Sequence, residues 1–164
     1  MLDLIDVLNN EGCLYKFSKE YSPEPQEFMG GTLRFEEPFT VTGHVKNMQG
    51  AIEIFANVKG SLKTECARCG DDARYCFSFE YFDEVAHEGY EDGIELIGTK
   101  IDLGGAVLGE ILSNLPMSIL CKPDCKGLCP KCGANLNNTT CNCPSVESDA
   151  VWEKLKLLNL KDEV

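Results

Sequence analysis

Six cysteines fall within the 23 residues 121–143, CKPDCKGLCPKCGANLNNTTCNC. Such a segment leaves no room for a packed apolar core, so cross-links or bound metal must hold it. Cys129-Pro-Lys-Cys132-Gly has the form of a zinc knuckle. Two residues between thiolates let one turn aim both sulfurs at a single ion, and the following Gly relieves the tight backbone. Cys141-Asn-Cys143 supplies a second pair, so Cys129, Cys132, Cys141 and Cys143 are the expected ligands of one structural Zn²⁺.

Four more cysteines lie upstream, at 13, 66, 69 and 76. Cys66-Ala-Arg-Cys69 is a second knuckle candidate between two strand-like runs. With one site filled as above, Cys121 and Cys125 remain and can join Cys66 and Cys69 around a second ion; a single site drawing on other cysteines fits the spacing equally. A redox reading of Cys66-x-x-Cys69 would place it at a helix start, whereas strand alternation resumes after it. Cys13 and Cys76 are expected as small buried hydrophobes. His44 and His87 are expected as surface or internally satisfied side chains.

The opening residues, Met1-Leu-Asp-Leu-Ile-Asp-Val-Leu, have no basic flank and two Asp within the apolar stretch, unlike a secretory signal. No run of 18 apolar residues occurs. The expectation is a cytoplasmic chain, where thiols stay reduced and clustered cysteines bind metal more often than they form disulfides.

Lys and Arg number 15 against 27 Asp and Glu, a formal net charge of −12 that excludes a broad basic face coating nucleic acid. The imbalance is local. Residues 1–120 hold 9 basic and 21 acidic side chains, whereas 121–164 hold six of each. Within 121–143, Lys122, Lys126 and Lys131 face Asp124 alone, a local excess of positive charge.

Between the charged loops, hydrophobic periodicity changes once. Phe39, Val41, Gly43 and Val45 alternate with polar residues, as do Ile52, Ile54, Ala56, Val58 and Leu62, with a bend or bulge expected near Gly60. Gln49-Gly50 makes a turn between them. Tyr75, Phe77, Phe79 and Tyr81 mark a third strand, opposite Cys76, Ser78 and Glu80, and Ile94–Leu96 and Ile101 a further short one. Leu103, Val107, Leu108, Ile111, Leu112 and Leu115 then recur at helical spacing, with Asp102 as N-cap and Pro116 as stop. Val151, Trp152, Leu155 and Leu158 suggest a short C-terminal helix. Residues 1–37 carry no clear period.

The expected fold is α+β: an antiparallel, curled or barrel-like β-domain with a connecting helix (1–116), then a Cys-rich zinc-binding region and C-terminal helix (117–164). A closed four-thiolate site keeps no coordination position open, so the zinc is structural. No nucleophile–base pair or phosphate-binding Gly loop is apparent, and the chain reads as a non-enzyme. One enzymatic alternative is an iron–sulfur site on Cys125, Cys129 and Cys132, whose spacing matches that of radical-SAM enzymes; only 32 residues follow Cys132, too few for the barrel that chemistry needs.

Leu115-Pro-Met, the run CKPDCKGLCPKCGANLN ending at Asn137, and Cys141-x-Cys143 closely resemble the cysteine-rich tail of the YceD-like family, the large ribosomal RNA subunit accumulation proteins. Cys66-Ala-Arg-Cys69 resembles that family's upstream CxRC motif, and Asp102-Leu103 through Leu115-Pro116 its connecting segment. The resemblance covers about residues 38–160; Ser118-Ile119 departs from a basic-plus-proline pair at that position. It implies a role in synthesis, processing or stability of large-subunit ribosomal RNA, and some members lack much of the tail. Two kinds of partner follow: the ribosomal RNA or its precursor, contacted by the knuckle lysines, or basic ribosomal proteins, attracted by the acidic domain of an adaptor that touches no RNA. No membrane or small-molecule substrate is expected.

Overall fold

The structure, a computed structural model, describes residues 1–28, 31–87 and 92–144. Its elements in chain order are β1 (Leu2–Asp3), α1 (Ile5–Leu8), β2 (Leu14–Tyr21), β3 (Gln26–Phe28), β4 (Gly31–Leu33), β5 (Phe39–Met48), β6 (Ala51–Glu65), β7 (Asp72–Glu84), β8 (Leu96–Ile97), β9 (Lys100–Ile101) and α2 (Leu103–Ser113). The chain divides into two compact units, one of Met1–Cys125 and one beginning at Lys126. No helix among the described residues is long and apolar enough to cross a membrane.

The first unit is built on a four-stranded antiparallel sheet in the linear order β2-β5-β6-β7. β5 and β6 meet at Met48↔Ala51 across Gln49-Gly50, both at positive φ (54° and 99°), the mirror-image turn whose twist suits a two-residue hairpin. Buried Asn47 locks this corner: its Nδ2 donates to the Val7 carbonyl at 2.8 Å and its Oδ1 accepts from the Gly50 N–H at 3.1 Å.

Parity decides the buried face. Phe39, Val41, Val45, Ile54, Val58 and Leu62 form one cluster with Leu103, Val107 and Ile111 of α2 and with Leu2, Leu4 and Ile101 of a small sheet ordered β1-β9-β8. α2 begins at Asp102, whose Oδ1 accepts the Gly105 N–H at 3.2 Å. Gly104 lets the helix approach Tyr21 of β2: a Cβ there would lie 2.7 Å from the ring.

Three expectations change. β6 has no bulge at Gly60, because its register with β7 runs unbroken from Glu53↔Glu84 to Glu65↔Asp72. Gly60 instead makes room for aromatic packing, since a Cβ would sit 2.6 Å from the Phe77 ring and 2.8 Å from the Phe39 Cβ. Pairing with β5 ends at Lys59, and beyond it Lys63 bridges to Arg34. Cys76 is exposed, not buried, since it shares the outward parity of Ser78 and Glu80. The unreadable first 37 residues contain β2, which pairs along its whole length from Leu14↔Lys46 to Tyr21↔Phe39. The expected helix at Val151–Leu158 lies outside the described residues.

Candidate metal centres

The β6–β7 hairpin is closed by Cys66–Asp71, so the first knuckle is the tip of the longest hairpin in the described sheet. The Cys66 N–H donates to the Asp71 carbonyl at 2.8 Å, and the Gly70 N–H donates back to the Cys66 carbonyl at 2.9 Å. Gly70 takes φ 74°, the left-handed region that favours glycine. The segment after α2 runs along this tip: the Ala67 N–H donates to the Ile119 carbonyl at 2.9 Å, and Arg68 Nη1 to the Cys125 carbonyl at 3.0 Å. Ile119 and Cys125 join the buried cluster of the first unit.

These contacts bring four sulfurs together. Cys66 Sγ lies 3.7 Å from Cys125 Sγ, and Cys69 Sγ lies 3.6 Å from Cys121 Sγ. All four ligand atoms fall within 4.8 Å of one another. Sulfurs at about 2.3 Å from a tetrahedral Zn²⁺ stand roughly 3.8 Å apart, so these four thiols are close enough to share one metal ion.

The second unit repeats the knuckle bond for bond. The Cys129 N–H donates to the Ala134 carbonyl at 2.8 Å, and the Gly133 N–H to the Cys129 carbonyl at 2.8 Å, with Gly133 at φ 71°. Asparagines stand in for a core: Asn137 Oδ1 accepts the Lys126 N–H at 3.0 Å, and Asn135 Oδ1 accepts the Asn137 N–H at 3.0 Å. Cys129, Cys132, Cys141 and Cys143 again lie within 4.8 Å of one another.

In each cluster the first knuckle cysteine is the lowered thiol. Burial pushes the Cys66 thiol up, but backbone N–H groups of Cys121, Arg68 and Cys69 outweigh it and bring it down to about 6. N–H groups of Cys132 and Lys131, with the Cys141 thiol, bring Cys129 down to about 6. Other members rise: Cys121 through burial, with the Cys125 and Cys66 thiols adding to it against the Cys69 thiol, and Cys143, through the Cys132 thiol and then burial, to about 12. Each knuckle thus favours one thiolate at its first cysteine, while further ionisation is opposed by like charge until a cation arrives. Both clusters can hold a metal ion.

The structure sorts the other candidate residues as well. Lys122, Lys126 and Lys131 are exposed; Lys122 belongs to the first unit and the other two to the second. The triad Cys125, Cys129 and Cys132 is divided, Cys125 falling in one cluster and Cys129 and Cys132 in the other. His44 stacks on Phe55 and His87 Nε2 lies 3.1 Å from Glu84, so neither joins a sulfur cluster. CARCG and CPKCG share Gly after the second Cys, and that glycine was the signal in the first as well.

Residues 55–159 match the family model described as Large ribosomal RNA subunit accumulation protein YceD. The chain belongs to the YceD family. The match covers both knuckles, the connecting helix and the cysteine-rich tail of this YceD chain. An uncharacterised protein of Mycobacterium tuberculosis is 30% identical over 100 residues, covering 56% of this chain and 48% of that one. Chloroplastic YCED homologues, named as large ribosomal RNA subunit accumulation proteins, are more partial. The Arabidopsis thaliana protein is 32% identical over 65 residues, 40% of this chain and 20% of its own. The Zea mays protein is 42% identical over 45 residues, 27% and 15% respectively. The chain therefore spans about half the length of the mycobacterial relative and less of the plant ones. No solved structure matches.

Proposed function

We propose that this YceD-family chain is a non-enzymatic ribosome biogenesis factor of the cytoplasm that supports accumulation of large-subunit ribosomal RNA. The family match over residues 55–159 carries the reading. Two structural Zn²⁺ ions brace it, one on Cys66, Cys69, Cys121 and Cys125, the other on Cys129, Cys132, Cys141 and Cys143. Four thiolates per ion close the coordination shell, so the metal's task is to hold backbone in place. Lys122, Lys126 and Lys131, presented on metal-held turns, contact phosphates of the ribosomal RNA or its precursor.

Depletion of the protein, followed by profiling of ribosomal particles, tests the role: large-subunit particles and their RNA fall selectively, and an unchanged profile refutes it. Replacing the three lysines together by Glu tests the contact, with loss of RNA crosslinking in cells expected and unchanged crosslinking counting against it. The acidic excess of residues 1–120 favours a second reading, an adaptor for basic ribosomal proteins. Recovery of ribosomal proteins that resists RNase favours the adaptor, and RNase-sensitive recovery favours the RNA contact.

A further inference from the structure

Across the outward face of the four-stranded sheet runs a row of aromatic rings. His44, Phe55 and Phe82 are successive register partners on β5, β6 and β7. Their ring centroids are 5.3 Å apart for His44–Phe55 and 4.8 Å for Phe55–Phe82. Phe82 is 59% exposed and Phe55 38%, so the row spends apolar area on solvent while the opposite face of the same strands is buried.

The charges beside it are uneven. At the β5 and β2 end the row borders Lys46 and Lys16. At the Phe82 end, Glu80 and Glu84 flank Phe82 on the same face of β7; Glu53, opposite Glu84 on β6, is itself the register partner of Lys46 on β5, and Glu84 has His87 Nε2 at 3.1 Å. A phosphate backbone laid along β7 here would meet Glu80 and Glu84.

We propose that Phe55 and Phe82, with Glu80 and Glu84, form a docking surface for an arginine-bearing segment of a basic protein. The guanidinium plane stacks on an exposed ring and its N–H fork reaches the carboxylates. Lysine offers the same charge without the planar fork, so arginine is the preferred residue. This deepens the ribosome-factor reading by naming a class of protein partner, and it rests on that reading for the partner's cellular setting.

The test uses the purified full chain and fluorescence anisotropy with labelled oligo-arginine, oligo-lysine and oligo-uridine. Oligo-arginine should bind several-fold tighter than oligo-lysine, and Phe82→Ala should weaken it by roughly fivefold or more. Glu80→Gln with Glu84→Gln should weaken it further and flatten its salt dependence. Thermal melts of the variants establish that they fold, as the exposure of Phe82 leads one to expect. Equal binding of the two peptides, indifferent to Phe82→Ala, overturns the proposal. Loss of oligo-uridine binding in Phe82→Ala with oligo-arginine unaffected also overturns it, making the row a platform for bases. Peptide binding is read independently of ribosomal RNA levels in depleted cells, so failure of the docking surface and failure of the ribosome role are distinguishable.

Discussion

Cys69 and Cys121 are 52 residues apart in the chain, yet their sulfurs lie 3.6 Å from each other. That separation is far beyond the roughly 2.05 Å of a disulfide and close to the roughly 3.8 Å edge of a tetrahedral thiolate shell. The contact ties the tip of a long hairpin to the segment that leaves α2.

Native mass spectrometry should therefore find two zinc ions per chain. Cys121→Ser should leave one and Cys121→Ser with Cys141→Ser none, because each substitution opens a different cluster. A single ion in the unaltered chain would refute the two-site assignment. Strong chelation should abolish amide-exchange protection at Gly133 and Leu136 while the β5–β6 ladder stays protected, since the first unit has an apolar core and the described second unit buries little beyond Cys129.

Two glycines should respond in opposite directions. Gly60→Ala drives a methyl into the Phe39 and Phe77 side chains and should cost about 1–3 kcal/mol in denaturant unfolding. Gly109→Ala on α2 meets nothing within 4 Å and should stabilise by about 0.5–1 kcal/mol through helix propensity. Stabilisation by the first would show that the close approach at β6 is wrong.

Asn47 is buried and serves both the α1 carbonyl of Val7 and the turn N–H of Gly50. Asn47→Ala leaves both partners unsatisfied and should destabilise by about 1–3 kcal/mol. The Gly50 amide should lose hydrogen-exchange protection in the same variant; a neutral effect on both would remove Asn47 as the lock of this corner.

Tyr81 is raised well above the ordinary phenol range, first by burial and then by its bond to Asp83, whose Oδ2 accepts from the hydroxyl at 2.6 Å. Tyr21 is raised too, by burial and then the Asp102 charge. In both the folded state favours the neutral phenol, so the stability they contribute is complete below about pH 10 and is lost as pH rises through their folded values. A spectrophotometric titration should show Tyr21 and Tyr81 ionising above the ordinary phenol range, with Tyr81→Phe removing one late step. Ionisation of Tyr21 and Tyr81 near pH 10 in the folded protein would contradict their burial.

Alternation made β5 and most of β6 readable, because each buries one face of regularly spaced apolar residues. β2 was unreadable for the opposite reason. It lies at the end of the sheet order and fully buries only Phe17, with Lys16, Ser18, Lys19 and Glu20 around it, so no period of two reaches the sequence. Cys76 shows parity overruling composition: a thiol is apt for burial, but its place between Tyr75 and Phe77 turns it outward. The aromatic row was likewise hidden, because His44, Phe55 and Phe82 become neighbours only through register.

The sequence by itself determined the two knuckles. A CxxCG turn is local, and its two-residue spacing places the two sulfurs side by side wherever the turn is put. It did not determine which distant thiols complete each set, since Cys121 and Cys125 stand as near to Cys129 in sequence as any other candidate pair. Tertiary structure decided that. The unbroken β6–β7 register carries Cys66 and Cys69 to a hairpin tip, and the Ile119–Ala67 hydrogen bond delivers Cys121 and Cys125 to the same place. Bringing such remote segments together costs loop-closure entropy that no local motif repays, so only the packed sheet and helix could settle it.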